Sequence, residues 1–190
     1  MDKILIVSGS EKSAKSLEAL ISRVAPPSSY TILTSGSKAR RILLDEYYDY
    51  LIVNSPLLDD NAVELSRMIA STLDTGVLLF VKEEFFDQTL LDCKDSGIAV
   101  ISKPIIMPVL SQCFSLLTSV RGKISQLKRE NSKLQTKLDE VKIISQAKCL
   151  LIEKKGCSEQ EAHHLVERRA MNARISAKEA AGQIIRIYSD

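Results

Sequence analysis

Short runs of apolar residues alternate with amphipathic segments through the first 120 residues, and this alternation limits the fold more than any other feature. Continuous apolar runs of this length are typical of strands buried on both faces of a parallel sheet. Four such runs occur, at residues 4–7, 51–53, 77–81 and 98–101. A weaker strand is predicted at residues 30–33. The amphipathic segments between them predict helices at residues 13–24, 37–46, 62–71, 84–95 and 108–118.

Five strand–helix units within about 118 residues predict a flavodoxin-like, doubly wound α/β domain with strand order 2-1-3-4-5. In such a sheet the functional crevice lies at the carboxyl ends of the strands, near the switch point between strands 1 and 3. The residues at these ends are Ser8 and Gly9 after strand 1, Asn54 after strand 3 and Lys103 after strand 5.

A fifth strand that ends in Lys103-Pro104 resembles the receiver (CheY-like) domain of response regulators. The resemblance implies an acidic pair after strand 1, a phosphate-accepting Asp at the end of strand 3 and a Ser or Thr after strand 4. Of these functional side chains only the lysine is kept. The other positions hold Ser8 and Gly9, Asn54, and Val81 or Lys82.

The substituted residues remove the chemistry of phosphoryl transfer. Mg²⁺ needs anionic oxygen ligands, and Ser8, Gly9 and Asn54 offer no carboxylate. An amide nitrogen is a poor nucleophile, so Asn54 at the phosphoacceptor position cannot form an acyl phosphate. Asp59 and Asp60 suit a solvated helix N-terminus. We therefore expect a pseudo-receiver without catalytic residues, in which Lys103 either bonds Asn54 or faces water.

Composition limits the cellular setting. The 190-residue chain has no apolar run near 20 residues and no cationic N-terminus followed by an apolar stretch, so neither a membrane span nor a secretory signal is expected. Cysteines without C-x-x-C spacing predict reduced thiols in the cytoplasm. They are Cys93, Cys113, Cys149 and Cys157.

Charge is distributed unevenly along the chain. Residues 1–120 hold 11 Lys or Arg against 15 Asp or Glu, a net charge of −4. Residues 121–190 hold 15 against 9, a net charge of +6. A basic tail on a mildly acidic body is typical of a regulator with a nucleic-acid-binding end, although basic residues can also simply solvate a helical surface.

A heptad pattern joins the two parts and predicts a coiled coil over four heptads. An Asn at one a position favours a parallel two-stranded coil, because the two amides can bond each other across the axis. The a positions are Leu117, Ile124, Asn131 and Leu138, and the d positions are Val120, Leu127, Leu134 and Val141.

The pattern favours a parallel homodimer but leaves alternatives open. Pairing would oppose Lys123 to Lys128 and Lys137 to Lys142, which is mildly repulsive, so a helical hairpin or a heteromer is also compatible. No Pro or Gly interrupts residues 123–155, and the coil is therefore expected to run into the next helix.

Three short helices are marked out in the last fifty residues. The first is expected to stop at Gly156, which suits a left-handed position. Ser158 with Glu161, and Ser176 with Glu179, form two capping boxes that open the second and third helices. Alanines fill many apolar positions, so the helices can approach closely and leave a basic exterior.

This stretch resembles the ANTAR domain, a three-helix RNA-binding module of bacterial transcription antiterminators. Family members usually carry Gly where this chain has Cys149. The resemblance is carried by residues 146–151 and 156–162, and by Leu165, Arg168, Ala170, Met171, Arg174, Ala180, Ala181, Ile184 and Ile185.

The resemblance implies that a dimer binds tandem hairpins in a leader transcript and prevents a terminator from forming. Lys148 and Arg168 match the family motif most closely, and Arg174 matches it less well. Lys142 and Lys155 are added as exposed cations, because lysine and arginine on helix faces neutralise phosphates. A plain solvated surface is an equal alternative for each of them.

The domain organisation follows: a pseudo-receiver at residues 1–118, a coiled-coil linker at 119–145 and an ANTAR-type bundle at 146–190. The predicted dimer seam is Ile124, Leu127, Asn131, Leu134, Leu138 and Val141. The pseudo-receiver is expected to sense a partner protein or a small ligand. A DNA-binding response regulator and a protein-binding adaptor are the competing classes.

No metal, cofactor or enzymatic activity is predicted. Cys149, Cys157, His163 and His164 lack zinc spacing, and adjacent histidines on a helix project about 100° apart. The loops after the strands lack residue types that grip a flavin, and no Gly-rich phosphate loop or paired catalytic carboxylates occur.

Overall fold

The computed structural model describes residues 2–25 and 29–188. Its five parallel strands form one sheet in the order β2-β1-β3-β4-β5, which confirms the doubly wound fold. Ser8 is paired with Asn54 at the carboxyl ends of β1 and β3, where the crevice was expected. The strands are β1 Lys3–Ser8, β2 Ser29–Leu33, β3 Tyr50–Asn54, β4 Gly76–Lys82 and β5 Ile98–Lys103.

Helices follow each strand, with bounds that differ slightly from the predicted ones. The first helix starts earlier because the Ser10 hydroxyl caps it and accepts from the Ser13 amide at 3.3 Å. The fourth is shorter, because a 3-10 turn at Glu83–Phe85 precedes it. The helices of the sheet are α1 Glu11–Ile21, α2 Gly36–Asp45, α3 Ala62–Thr72, α4 Phe86–Asp92 and α5 Met107–Lys155.

The sheet is covered on both faces, which explains why its central strands are continuously apolar. Leu5, Val7, Leu51 and Val53 point into the core that includes α2 and α3. The alternate residues of the same strands pack with α1 and α5. Each face therefore has its own hydrophobic layer.

The start of α5 is fastened to the sheet. The Tyr50 and Phe114 ring centroids are 4.6 Å apart, and the Arg121 guanidinium lies 4.7 Å from the Tyr50 ring while bonding Asp49 at 3.0 Å. Leu117 is buried in this layer. The expectation that Leu117 opens the coiled-coil seam was therefore wrong, because an a-position leucine equally suits a helix packed on a sheet.

The chain divides into two compact units, Met1–Lys123 and Ile124–Asp190. The second unit contains the remainder of α5 together with α6 Glu159–Ala173 and α7 Ala177–Tyr188. Its core is small and rich in alanine, as the sequence indicates. The buried residues of this core are Ala147, Leu151, Ala162, Val166, Ala181 and Ile184.

The residues predicted to end and to cap the helices of the bundle do so in the structure. α5 ends at Lys155, and Gly156 follows with φ +64°. The Ser158 hydroxyl accepts from the Glu161 amide while the Glu161 carboxylate accepts from the Ser158 amide, a complete capping box. At the end of α6 the left-handed position is occupied by Arg174, with φ 51°.

The second capping box, between Ser176 and Glu179, forms in the same way at the start of α7, with N–H···O distances of 2.9 and 3.2 Å. Among the residues that the structure describes, no helix is long and apolar enough to cross a lipid bilayer.

Candidate functional site

A chain of hydrogen bonds occupies the pocket at the ends of β1, β3 and β5. Lys103 Nζ donates to Asn54 Oδ1 at 3.0 Å and to the Ser55 carbonyl at 2.5 Å. Asn54 Nδ2 donates to Ser8 Oγ at 3.0 Å, and the Ser8 and Ser13 hydroxyls are 2.6 Å apart. Of the two alternatives left open for Lys103, the structure thus gives the bond to Asn54.

The pocket is cationic and lacks carboxylates at the receiver positions. Burial lowers the pKa of Lys103, and the positive charge of Lys82 lowers it further. Ser8, Gly9 and Asn54 contribute only hydroxyl, backbone and amide groups. A divalent cation here would find no anionic ligand among these residues and would meet the lysine charge.

Gly9 lies against the loop that follows β3. A Cβ built on Gly9 would be 2.8 Å from the Pro56 carbonyl oxygen and 3.7 Å from Leu58 Cγ. The first of these distances is too short for any side chain unless the backbone moves. An aspartate of a receiver's acidic pair would therefore not fit at this position without shifting the loop.

Asp59 caps a helix across the fold rather than the helix that follows it in sequence. Its carboxylate accepts from the Gly36 amide at 2.9 Å, the Ser37 amide at 3.2 Å and the Ser35 hydroxyl at 2.7 Å, all at the start of α2. These bonds, led by the one from Ser35, hold the pKa of Asp59 well below its usual range. The prediction that Asp59 and Asp60 belong to a solvated helix N-terminus is therefore only partly right, because Asp59 caps the distant α2 and Asp60 is largely buried against Arg40.

Asp60 strengthens the same attachment. Both its oxygens accept from the Arg40 guanidinium, at 2.6 and 2.9 Å, and the Arg40 bonds lower the pKa of Asp60. A Cβ built on Gly36 would be 2.4 Å from Asp60 Cβ, so only glycine permits this close approach. The loop after β3 is therefore held on α2 by two adjacent carboxylates.

We expect these carboxylates to make the receiver-type unit sensitive to acid. The pKa of Asp60 is lower in the folded chain than the value of about 3.9 in an unfolded one, so its contribution to stability is complete above about pH 4 and is lost as the pH falls through the lowered value. Urea unfolding at pH 7 and pH 3 should show a smaller loss of stability for Asp60→Asn than for the natural chain. Arg40→Met, which removes the partner, should behave likewise, and an equal loss in all three proteins would contradict the assignment.

An apolar stripe runs along the part of α5 that belongs to the second unit. Ile124, Leu127, Leu134, Leu138 and Val141 are 44–64% exposed, although side chains of this kind are usually buried. Asn131 lies among them and is also exposed. The predicted seam residues therefore form one uncovered face at heptad spacing.

The cations predicted to bind RNA differ in their surroundings. Lys148 is partly buried and bonds the Glu159 carboxylate at 2.9 Å. Arg168, Arg174, Lys142 and Lys155 are exposed. Lys148 therefore helps to hold α6 to the end of α5, and the four other cations are available to a ligand.

A groove of about 460 Å³ lies between the end of α5, α6 and α7. It brings Lys155, Arg168 and Arg169 together with residues that sequence reasoning did not select, namely Asn172, Gln183 and Tyr188. The lining of the groove comes from three separate helices, α5, α6 and α7, so no local spacing could have grouped it.

The two histidines of α6 contact a carboxylate of the same helix. His163 Nε2 and His164 Nδ1 lie 3.3 and 3.2 Å from the Glu167 carboxylate. Within residues 2–25 and 29–188, no group of three or more His, Cys, Asp or Glu side chains is arranged to hold a metal ion.

Solved structures define the fold class of the first unit. A receiver domain of an HD domain-containing protein from Pseudomonas fluorescens Pf-5 is 18% identical, with a TM-score of 0.57, and the match covers 66% of this chain and 92% of that one. A receiver domain of a histidine kinase from Syntrophus aciditrophicus is 22% identical (TM-score 0.53), with 63% and 92% covered. A response regulator receiver domain protein from Clostridium thermocellum is 16% identical (TM-score 0.55), with 67% and 99% covered.

The second unit is defined by sequence. Residues 132–185 match the model of the ANTAR domain family, and no curated protein matches the chain. Along the chain, a receiver fold is therefore followed by a match to the ANTAR domain.

Proposed function

We propose that this chain is an RNA-binding antitermination regulator that works as a dimer and without phosphorylation. The match of residues 132–185 to the ANTAR domain carries the proposal, because this is the RNA-binding module of bacterial antiterminators. The net charge of +6 on residues 121–190 supports it, since cations supply most of the affinity for a phosphate backbone. The protein acts in the cytoplasm by binding alone, with no catalytic step or cofactor.

The strand-end pocket supports independence from phosphorylation. The functional group at the acceptor position is the Asn54 amide, which already bonds Lys103 and Ser8. Such a pseudo-receiver keeps the fold and takes its input from a partner protein or a small ligand. That input controls the dimer or the exposure of the RNA-binding surface.

The exposed stripe on α5 supports a parallel homodimer. Burying the five apolar seam residues against a second copy stabilises the dimer by about 25 cal/mol per Å² of apolar surface removed from water. Parallel pairing places Asn131 opposite Asn131 of the second copy and brings two ANTAR bundles to the same end. Two bundles side by side fit two tandem stem-loops.

Replacing Asn131 with Ile tests the pairing. A buried polar a position lowers stability in return for a defined oligomer, so Asn131→Ile should raise the melting temperature by at least about 4 °C and add trimers or tetramers. Calorimetry and light scattering measure the two effects. Ser132→Ile, one residue further along at an outward position, is the control and should do neither. If Asn131→Ile changes neither the melting temperature nor the oligomeric state, Asn131 does not lie at an a position of a coiled coil.

A gel-shift titration tests the RNA-binding proposal. The probes are a tandem stem-loop RNA recovered by selection from a pool with randomised loops, the same RNA with its loops substituted, and duplex DNA of equal length, each at two salt concentrations. We expect tight binding to the first probe only, with affinity that falls as salt rises. Equal weak binding to all three probes would mean that residues 121–190 bind nucleic acid only through nonspecific positive charge. Preferred binding to DNA would favour a DNA-binding response regulator, and no binding would favour a protein-binding adaptor.

A further inference from the structure

The groove between the end of α5, α6 and α7 has the composition of a site for a single nucleotide. Its volume of about 460 Å³ lies within the range of small-ligand sites. All of it belongs to the second compact unit. Three kinds of side chain meet there: cations, an aromatic ring, and two amides.

The cations set the charge of the ligand. Lys155, Arg168 and Arg169 line the groove, and no Asp or Glu occurs among the described residues of its lining. By contrast, a neighbouring groove that also contacts Arg168 is lined by Glu161 and Glu167. Of the two grooves, the one with three cations is therefore the one whose described lining attracts a phosphate without opposition from a carboxylate.

Tyr188 and Leu165 can contact a flat ring. Both line the groove and are partly exposed, whereas Leu151 and Ile184, which also line it, are almost fully buried. The Lys155 ammonium lies 5.7 Å from the centre of the Tyr188 ring, so a cation and an aromatic face are presented together. This combination suits one nucleotide, because its base can stack on an aromatic side chain while a cation neutralises the charge of its phosphate.

The amides can read the edge of a base. Arg169 Nε donates to Gln183 Oε1 at 3.1 Å, which leaves the Gln183 Nε2 group to donate to a ligand. Asn172 lies in the same lining and offers one donor and one acceptor group. Arg169 is thus a positioning residue for Gln183, in addition to its charge.

We propose that this groove holds one unpaired nucleotide of an RNA loop. The base stacks on Tyr188 next to Leu165, its edge bonds Asn172 and Gln183, and Lys155 and Arg168 neutralise the adjoining phosphates. The inference rests on the proposed RNA-binding function and adds to it the place where sequence is read. Single-stranded loops are where proteins recognise RNA sequence, since the bases there can be splayed out.

The test compares full-length variants on a pool of tandem stem-loop RNAs with randomised loops. Tyr188→Leu removes the ring and keeps apolar volume, whereas Tyr188→Phe keeps both. Asn172→Ala removes one amide from an exposed position on α6. Arg186→Ala is the charge-matched control for Arg169→Ala, because Arg186 is an exposed cation on α7 outside the groove lining.

We expect Tyr188→Leu to weaken binding of the selected RNA about 10-fold and Tyr188→Phe to keep it, as stacking requires. Asn172→Ala should relax the base preference at one loop position. Arg169→Ala should weaken binding more than Arg186→Ala, although both remove one charge. Equal melting temperatures verify that each variant is folded.

Two results would overturn the inference, and another would remove the positioning role of Arg169. If the natural chain enriches a loop sequence and Asn172→Ala and Tyr188→Leu enrich it equally well, the groove does not read the loop, although the proposed function stands. If Arg169→Ala and Arg186→Ala lose equal affinity, Arg169 acts through charge alone. If the natural chain enriches no RNA, both the groove and the proposed function fail.

Discussion

Leu134→Asp is expected to convert the dimer to a monomer. Leu134 is 60% exposed on α5 and lies at a d position of the seam, where it would face its counterpart. Removing about three apolar carbons from each copy, at about 0.8 kcal/mol per carbon, costs about 5 kcal/mol, which raises the dissociation constant more than 1,000-fold. The opposed carboxylates weaken the pair further.

The same change should reduce affinity for a tandem stem-loop RNA by about 100-fold or more, because a monomer engages one hairpin at a time and loses the gain from linked binding. Affinity for a single stem-loop should stay the same. Sedimentation velocity and gel shifts measure the two effects.

Thr136→Asp is the matched control, since it adds the same charge two residues away on the exposed outer face of α5. This variant should stay dimeric and bind normally. A Leu134→Asp protein that stays dimeric would place the dimer interface elsewhere.

The natural chain is expected not to be phosphorylated, and restoring the acceptor carboxylate by a single substitution is expected not to change this. Incubation with acetyl phosphate and Mg²⁺ should leave the intact mass of the natural chain unchanged. Asn54→Asp restores the acceptor carboxylate, but Ser8 and Gly9 still provide no anionic ligand for the metal. We therefore expect this variant also to stay unmodified in intact-mass spectrometry.

Restoring the acidic pair meets a steric limit. Gly9→Asp would place Cβ 2.8 Å from the Pro56 carbonyl, so the variant should lower thermal stability as well as fail to restore phosphorylation. Ser16→Asp, at an exposed position of α1, controls for an added carboxylate in this region. A phosphoryl group on the natural chain that disappears on Asn54→Ala would contradict the pseudo-receiver.

The strands and the helix caps were readable from the sequence because their causes are local. A strand buried on both faces must be apolar throughout, and Ser158 with Glu161 satisfies amides within one turn. The fold class therefore followed from residues close together in the chain. The ANTAR resemblance was readable for the same reason.

The contacts that define the sites were not local. Asp59 caps α2 from 23 residues further along the chain, and no spacing indicates which helix an acid will cap. Leu117 satisfies a heptad and a sheet-packed helix equally, so only the fold decides between them. Tyr188 and Gln183 join Arg169 only when α7 packs on α6, which explains why the family motif pointed to Arg168 but not to the groove.

Single-round transcription tests antitermination itself. The template carries the selected tandem stem-loop sequence, with its second stem overlapping an intrinsic terminator, and the control template differs only in its loop bases. We expect the purified protein, without any phosphate donor, to raise read-through on the first template and to leave the second unchanged. Unchanged termination on both templates with protein that is dimeric and binds the selected RNA in gel shifts, or read-through that needs a phosphate donor, would contradict the proposed function.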